Sequence, residues 1–116
     1  MKKILIISNG PVPAPEIKNV EGGGLRVWGL ANGLKNNSKD KYEVEVSYNQ
    51  VFKQDNFTDE LNGIKISTWE ISTLADKIQE FDSVLVSYNA GDITQTVIDN
   101  IRQDQQLILD GYVPIH

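Results

Sequence analysis

The chain contains no cysteine, and that one absence removes disulfide scaffolds, thiolate metal sites, cysteine nucleophiles and dithiol redox chemistry together. It has a single histidine, His116, so a histidine cluster cannot hold a metal and no metal site is expected. Basic residues number 11 against 16 acidic ones, giving a net charge of −5. They are scattered along the chain, so the footprint of a protein that grips a phosphate backbone is missing and nucleic acid is not an expected partner. Long hydrophobic runs are missing too. Ile4 to Ile7 falls far short of the ~20 residues that a helical membrane span requires, and is too short for the h-region of a secretion signal. The expectation is a cytoplasmic protein without a transmembrane segment, in which the sequons at Asn36 and Asn56 have no role.

Several catalytic and nucleotide-binding motifs are absent as well. A dinucleotide fingerprint needs a compact G-x-G-x-x-G directly after the first strand and an acidic residue ending the second, whereas here a long loop intervenes and the second strand ends near Val46-Ser47-Tyr48. The P-loop lysine and serine are missing, because Gly24 is followed by Leu25-Arg26. No Gly-x-Ser-x-Gly occurs, which excludes a nucleophile elbow. No bound cofactor is expected.

What is present is a regular alternation of elements. At 116 residues the chain suits one domain, which at this size buries roughly two thirds of its unfolded surface. Ile4-Leu5-Ile6-Ile7 reads as a central strand covered on both faces. Three prolines at alternate positions, 11, 13 and 15, then forbid a helix. A helix is predicted from about Gly24 to Asn36, with Val27, Leu30, Ala31 and Leu34 on one face. Gly29 and Gly33 weaken it by about 1 kcal/mol each relative to alanine, and they read as packing glycines that admit a neighbouring backbone.

Tyr42-Glu43-Val44-Glu45-Val46 alternates as a half-buried second strand. Asn62-Gly63 signals a turn before a short third strand, Ile64-Lys65-Ile66, expected at an edge. Ser72 or Thr73 is expected to cap a second helix, Asp76 reaching back, with Ile71, Leu74, Ile78 and Phe81 buried and Asp82 closing it. Ser83 to Ser87 is a second all-apolar strand. Asp92 caps a third helix carrying Ile93, Val97, Ile98 and Ile101, and Gln106 to Asp110 is the fifth strand. The expected fold is α/β: a Rossmann-like, doubly wound, mainly parallel five-stranded sheet with helices on both faces.

In such sheets ligands collect beyond the carboxyl ends of the strands where the strand order reverses. That crevice would be lined by Asn9 and Gly10, by Gly22, Gly23 and Gly24 with Arg26 in the first helical turn, by Tyr88 and Asn89, and by Asp110. Glycines opening a helix expose free N–H groups at the positive end of its dipole, a natural seat for an anion, although they serve tight packing equally well. His116, at the ligand end of the sheet, is the candidate catalytic residue. Trp28 and Trp69 read as core or interface residues, with Trp28 nearer the glycines.

Taken together, Lys3-Ile4-Leu5-Ile6-Ile7, the proline-containing loop, Gly22-Gly23-Gly24-Leu25-Arg26-Val27, Leu30-Ala31-Asn32-Gly33-Leu34 and Tyr42-Glu43-Val44-Glu45-Val46 resemble the amino-terminal domain of a GT-B glycosyltransferase of the family 4, or glycogen-synthase-like, group. The resemblance implies a chain that is the incomplete amino-terminal, acceptor-side half of a two-domain enzyme. Such an enzyme moves a sugar from a nucleotide-sugar to an acceptor hydroxyl on a sugar or glycan. It implies that Gly22, Gly23 and Gly24 lie near the donor diphosphate, that His116 corresponds to a cleft histidine, and that this chain alone is inactive. The donor sugar, nucleotide, acceptor and pathway are not legible. One alternative is a stand-alone flavodoxin-like or receiver-like binding module, although a receiver would want acidic residues where Ser8-Asn9 follow the first strand. Another is a piece whose exposed edge pairs with a copy of itself.

Overall fold

The computed structural model describes residues 2–8, 22–38, 42–52, 60–61, 63–87 and 92–110. In chain order the elements are β1 (Lys2–Ser8), α1 (Gly22–Ser38), β2 (Tyr42–Asn49), a 3₁₀ turn (Gln50–Phe52), β3 (Glu60–Leu61), β4 (Ile64–Trp69), α2 (Ile71–Ile78), β5 (Ser83–Ser87), α3 (Asp92–Asn100) and β6 (Gln106–Asp110). The strands form one sheet in the order β3-β4-β2-β1-β5-β6. All neighbours pair in parallel except β3 with β4.

The sheet has six strands where the sequence pattern gives five. The extra one is the two-residue β3, turned back onto β4 through Gly63, whose φ of 76° is a conformation open to glycine and strained for other residues. As a result β4 is an internal strand running to Trp69, and β3 takes the edge. The two all-apolar strands, β1 and β5, are adjacent as expected. Their continuous apolar runs have a direct cause. Ile4 and Ile6 join one core cluster with Val44, Val46 and Ala31 of α1, while Leu5 and Ile7 join a second with Val84, Leu74 of α2 and Val97 of α3. Helix α1 therefore packs on one face of the sheet and α2 and α3 on the other. Among the described residues no helix is long and apolar enough to cross a membrane.

Local details differ from the sequence reading in ways the packing explains. Helix α1 begins at Gly22 and takes all three glycines into its first turn. Helix α2 begins directly after Trp69-Glu70, because the buried Trp69 ends the strand and leaves one residue for the turn. Its N-cap is Glu70, which makes no side-chain cap, and Ser72 and Thr73 lie within the first turn, where the Thr73 amide donates to the Glu70 carbonyl at 3.0 Å. Ile71 and Ile98, expected on buried stripes, are 54% and 43% exposed. Asp82 does not close α2. It serves the sheet: its carboxylate accepts from the Lys3 amide at 2.8 Å and its own amide donates to the Lys3 carbonyl at 2.9 Å. The end of α2 is satisfied instead by the buried Gln105, whose side-chain amide donates to the carbonyls of Ile78 and Phe81 at 2.6 and 2.8 Å.

Gly29 and Gly33 are not packing glycines. A Cβ at either position meets nothing within 4 Å. With no close approach to protect, each carries only the helix penalty of glycine. Replacing either by alanine is expected to raise stability by up to about 1 kcal/mol, roughly 4 °C in Tm. Thermal unfolding checks this, and a fall in Tm for either variant would restore a packing role.

Candidate functional site

In a parallel crossover the helix runs back against the direction of its strands, so the amino end of α1 faces the carboxyl edge of the sheet. That edge is made by Ser8 of β1, Asn49 of β2, Trp69 of β4, Ser87 of β5 and Asp110 of β6, with Asn49 level with Trp69 and Ser87 level with Asp110. Gly22, Gly23 and Gly24 form the start of α1, Arg26 follows within the helix, and Asp110 ends β6. Asn9, Gly10, Tyr88, Asn89 and His116 lie outside the described residues.

One side chain ties this edge together. Trp69, 4% exposed, sends its indole Nε1–H across β2 to the carbonyl of Ser8 at 2.9 Å, linking the ends of two strands that are not neighbours. The sequence reading preferred Trp28 as the tryptophan near a site. In the structure Trp28 packs, partly buried, against the α1-side core, while Trp69 stands at the carboxyl edge. Beside Trp69 a recess of about 460 Å³ opens between the ends of β2 and β4, lined by Asn49, Gln50, Val51, Trp69, Glu70 and Ile71. Val51 there is 78% exposed.

At the opposite, amino-terminal end of the strands lies a larger cleft of about 750 Å³. Its deepest charge is Glu45, which the alternating pattern of β2 places on a solvated face. The structure buries it, because α2 covers that face. The Glu45 carboxylate accepts from Ser67 Oγ at 2.6 Å and pairs with Lys77 Nζ of α2 at 2.8 Å, with Lys65 Nζ at 3.7 Å. Burial, the largest single influence, pushes the Glu45 carboxyl up. The hydrogen bonds from Lys77 and Ser67, with the charges of Lys77 and Lys65, together outweigh it and hold the group below its usual value of 4.5. Two residues along, on the same face, the hydroxyl of Ser47 is buried without a hydrogen-bond partner.

The carboxylate and its two lysines form a structural cluster rather than a reactive group, since every partner lowers the proton affinity of Glu45 and none presents a free base. The sequence signal that could have marked this cluster is the two-residue spacing of Lys65 and Ser67 on one face of β4, but only the register of β2 against β4, which sets Glu45 level with Lys65, brings the carboxylate to them. Among the described residues no three His, Asp or Glu side chains are grouped to hold a metal ion. No family model matches the chain, and no curated protein or solved structure matches it either.

Proposed function

We propose that the chain is the amino-terminal, acceptor-side domain of a GT-B-type glycosyltransferase, with a Rossmann-like, doubly wound sheet whose ligand edge is the carboxyl edge. The observation that carries this reading is the strand order. The chain passes from β1 to β2 and β4 on one side and to β5 and β6 on the other, so the direction of winding reverses at β1. The residues that follow β1 lead into a helix whose first turn is Gly22-Gly23-Gly24. A reversal point beside a glycine-opened helix is where open α/β sheets hold phosphorylated ligands. The placement of α1 on one face and of α2 and α3 on the other supports the same winding.

In this reading the first-turn amides of α1, with Arg26, face the diphosphate of a nucleotide-sugar and stabilise the charge that develops as it leaves. Asn9, Gly10, Tyr88, Asn89 and Asp110 contribute polar groups for sugar hydroxyls, and His116 stands as the candidate catalytic residue. No resident cofactor or metal is invoked.

The test is a titration of the ¹⁵N-labelled chain with inorganic pyrophosphate and with a nucleoside diphosphate. Amide shifts concentrated at Gly22 to Arg26 are expected, and Gly23→Val should abolish them while the chain stays folded. The purified chain given a nucleotide-sugar and acceptors should show no transfer. Shifts spread over the lysines of the opposite cleft, or none at all with either anion, would remove the reading's support.

A further inference from the structure

The bond from Trp69 to Ser8 joins the last residue of β4 to the last residue of β1, with β2 lying between them. Two strand spacings amount to about 9.5 Å, a span that a tryptophan side chain bridges and a short polar side chain does not. A buried indole needs an acceptor somewhere, so the bond alone marks no function. The choice of acceptor does. Ser8, itself 2% exposed, ends the strand at which the winding reverses, and the chain leads on from it toward the glycines that open α1. Because a peptide unit is planar, holding the Ser8 carbonyl also holds the plane through which β1 hands the chain on.

The donor is the fixed partner of the two. Trp69 belongs to the buried cluster that contains Leu5 and Ile7 of β1 and Leu74 and Ile78 of α2, and it also forms part of the wall of the carboxyl-edge recess. Packing on that scale locks the ring, so the position of its N–H is set before any ligand arrives.

We propose that Trp69 is a positioning residue for the anion site at the reversal point, its Nε1–H holding the end of β1 in the geometry that a bound diphosphate requires. This role rests on the reading of the carboxyl edge as the ligand edge, and it adds a residue which that reading does not contain. Trp69 acts only through Ser8. A hydrogen bond passes to a distant equilibrium no more than its own worth, which bounds the effect at about tenfold in affinity. The coupling is reciprocal: whatever factor the bond contributes to anion binding, the bound anion returns to the bond.

Both directions are measurable on the full 116-residue chain, with inorganic pyrophosphate as the probe. Trp69→Phe keeps an aromatic ring and removes the donor, and it should raise the dissociation constant read from the Gly22 to Arg26 amides by about threefold to tenfold. Ile78→Val, a change of comparable stability cost in the same cluster at the far end of α2, should leave that constant unchanged. In the parent, saturating pyrophosphate should slow hydrogen exchange of the Trp69 indole N–H by the same factor that the phenylalanine variant loses in affinity. The exchange measurement needs no variant, so it decides the matter even if the phenylalanine chain fails to fold. An affinity unaltered in Trp69→Phe, an equal loss in Ile78→Val, or an indole exchange rate indifferent to pyrophosphate overturns the proposal while the anion site stands. A parent chain that binds no pyrophosphate removes the anion site and the role of Trp69 with it.

Discussion

Replacing Trp69 by alanine is expected to lower the unfolding free energy by about 3–5 kcal/mol, a large share of the roughly 5–15 kcal/mol that holds a small domain together. Two losses combine. The ring is nearly fully buried in the cluster shared by β1, β5, α2 and α3, so its removal leaves a cavity under the start of α2. The indole N–H also stops donating to the Ser8 carbonyl. Trp69→Phe separates the two, keeping most of the apolar ring and deleting the donor, and should cost about 1–2 kcal/mol. Urea unfolding of both variants measures the split. A phenylalanine variant as stable as the parent would show that the cross-strand hydrogen bond contributes nothing. Because the bond anchors the end of β1, the phenylalanine variant should also shift the amide resonances at the carboxyl edge more than those near Lys3.

The second large effect concerns Lys77. At neutral pH Lys77→Ala is expected to cost about 1–3 kcal/mol, because it strips the closest cation from a buried carboxylate. Ser67 and the exposed Lys65 remain, which keeps the loss below that of a fully orphaned charge.

The pH dependence gives a sharper signature. In the parent protein the Glu45 carboxyl lies below 4.5, so the unfolded chain takes up its proton first on acidification. The stabilisation from this group is therefore complete above about pH 4.5 and is lost as pH falls through the lower, folded-state value. Without Lys77 the strongest of the influences that lower it is gone, so the folded-state value rises and protonation costs the native state less. Lys77→Ala should accordingly be less destabilised, relative to the parent, at pH 4 than at pH 7. A cost for Lys77→Ala that stays constant between these two pH values would show that the charge on Glu45 is not what the lysine balances. A Glu45→Leu, Lys77→Met pair should recover most of the loss, since an apolar pair needs no desolvation of charge.

These effects mark the boundary between what was legible in the residues and what was not. The apolar runs at Ile4 to Ile7 and at Val84 to Val86 announced the two strands buried on both faces, and these strands are neighbours. The stripes through Leu74 and Ile78 and through Ile93 and Val97 announced α2 and α3. These are local patterns, set by the period of a strand or a helix, and they survive whatever the chain packs against. The exposure of Ile71 and Ile98 was not legible, because periodicity marks a stripe but not how far the sheet extends beneath it.

The candidate site divides in the same way. The glycines at the start of α1 could be read directly, since absent side chains are a property of the sequence. The role of Trp69 could not, because its partner is the carbonyl of Ser8, an atom that every residue possesses and that no sequence pattern marks.

By itself, then, the sequence determined the α/β class, the central strands and the positions of the helices, because apolar periodicity and turn residues act over a few neighbours. Only the tertiary structure decided that β3 takes the edge, that Gly29 and Gly33 face open space, and that Glu45 is buried against Lys77. Each of these depends on strand register or on the surface that a crossover helix covers, and neither is fixed until segments distant in the chain come together.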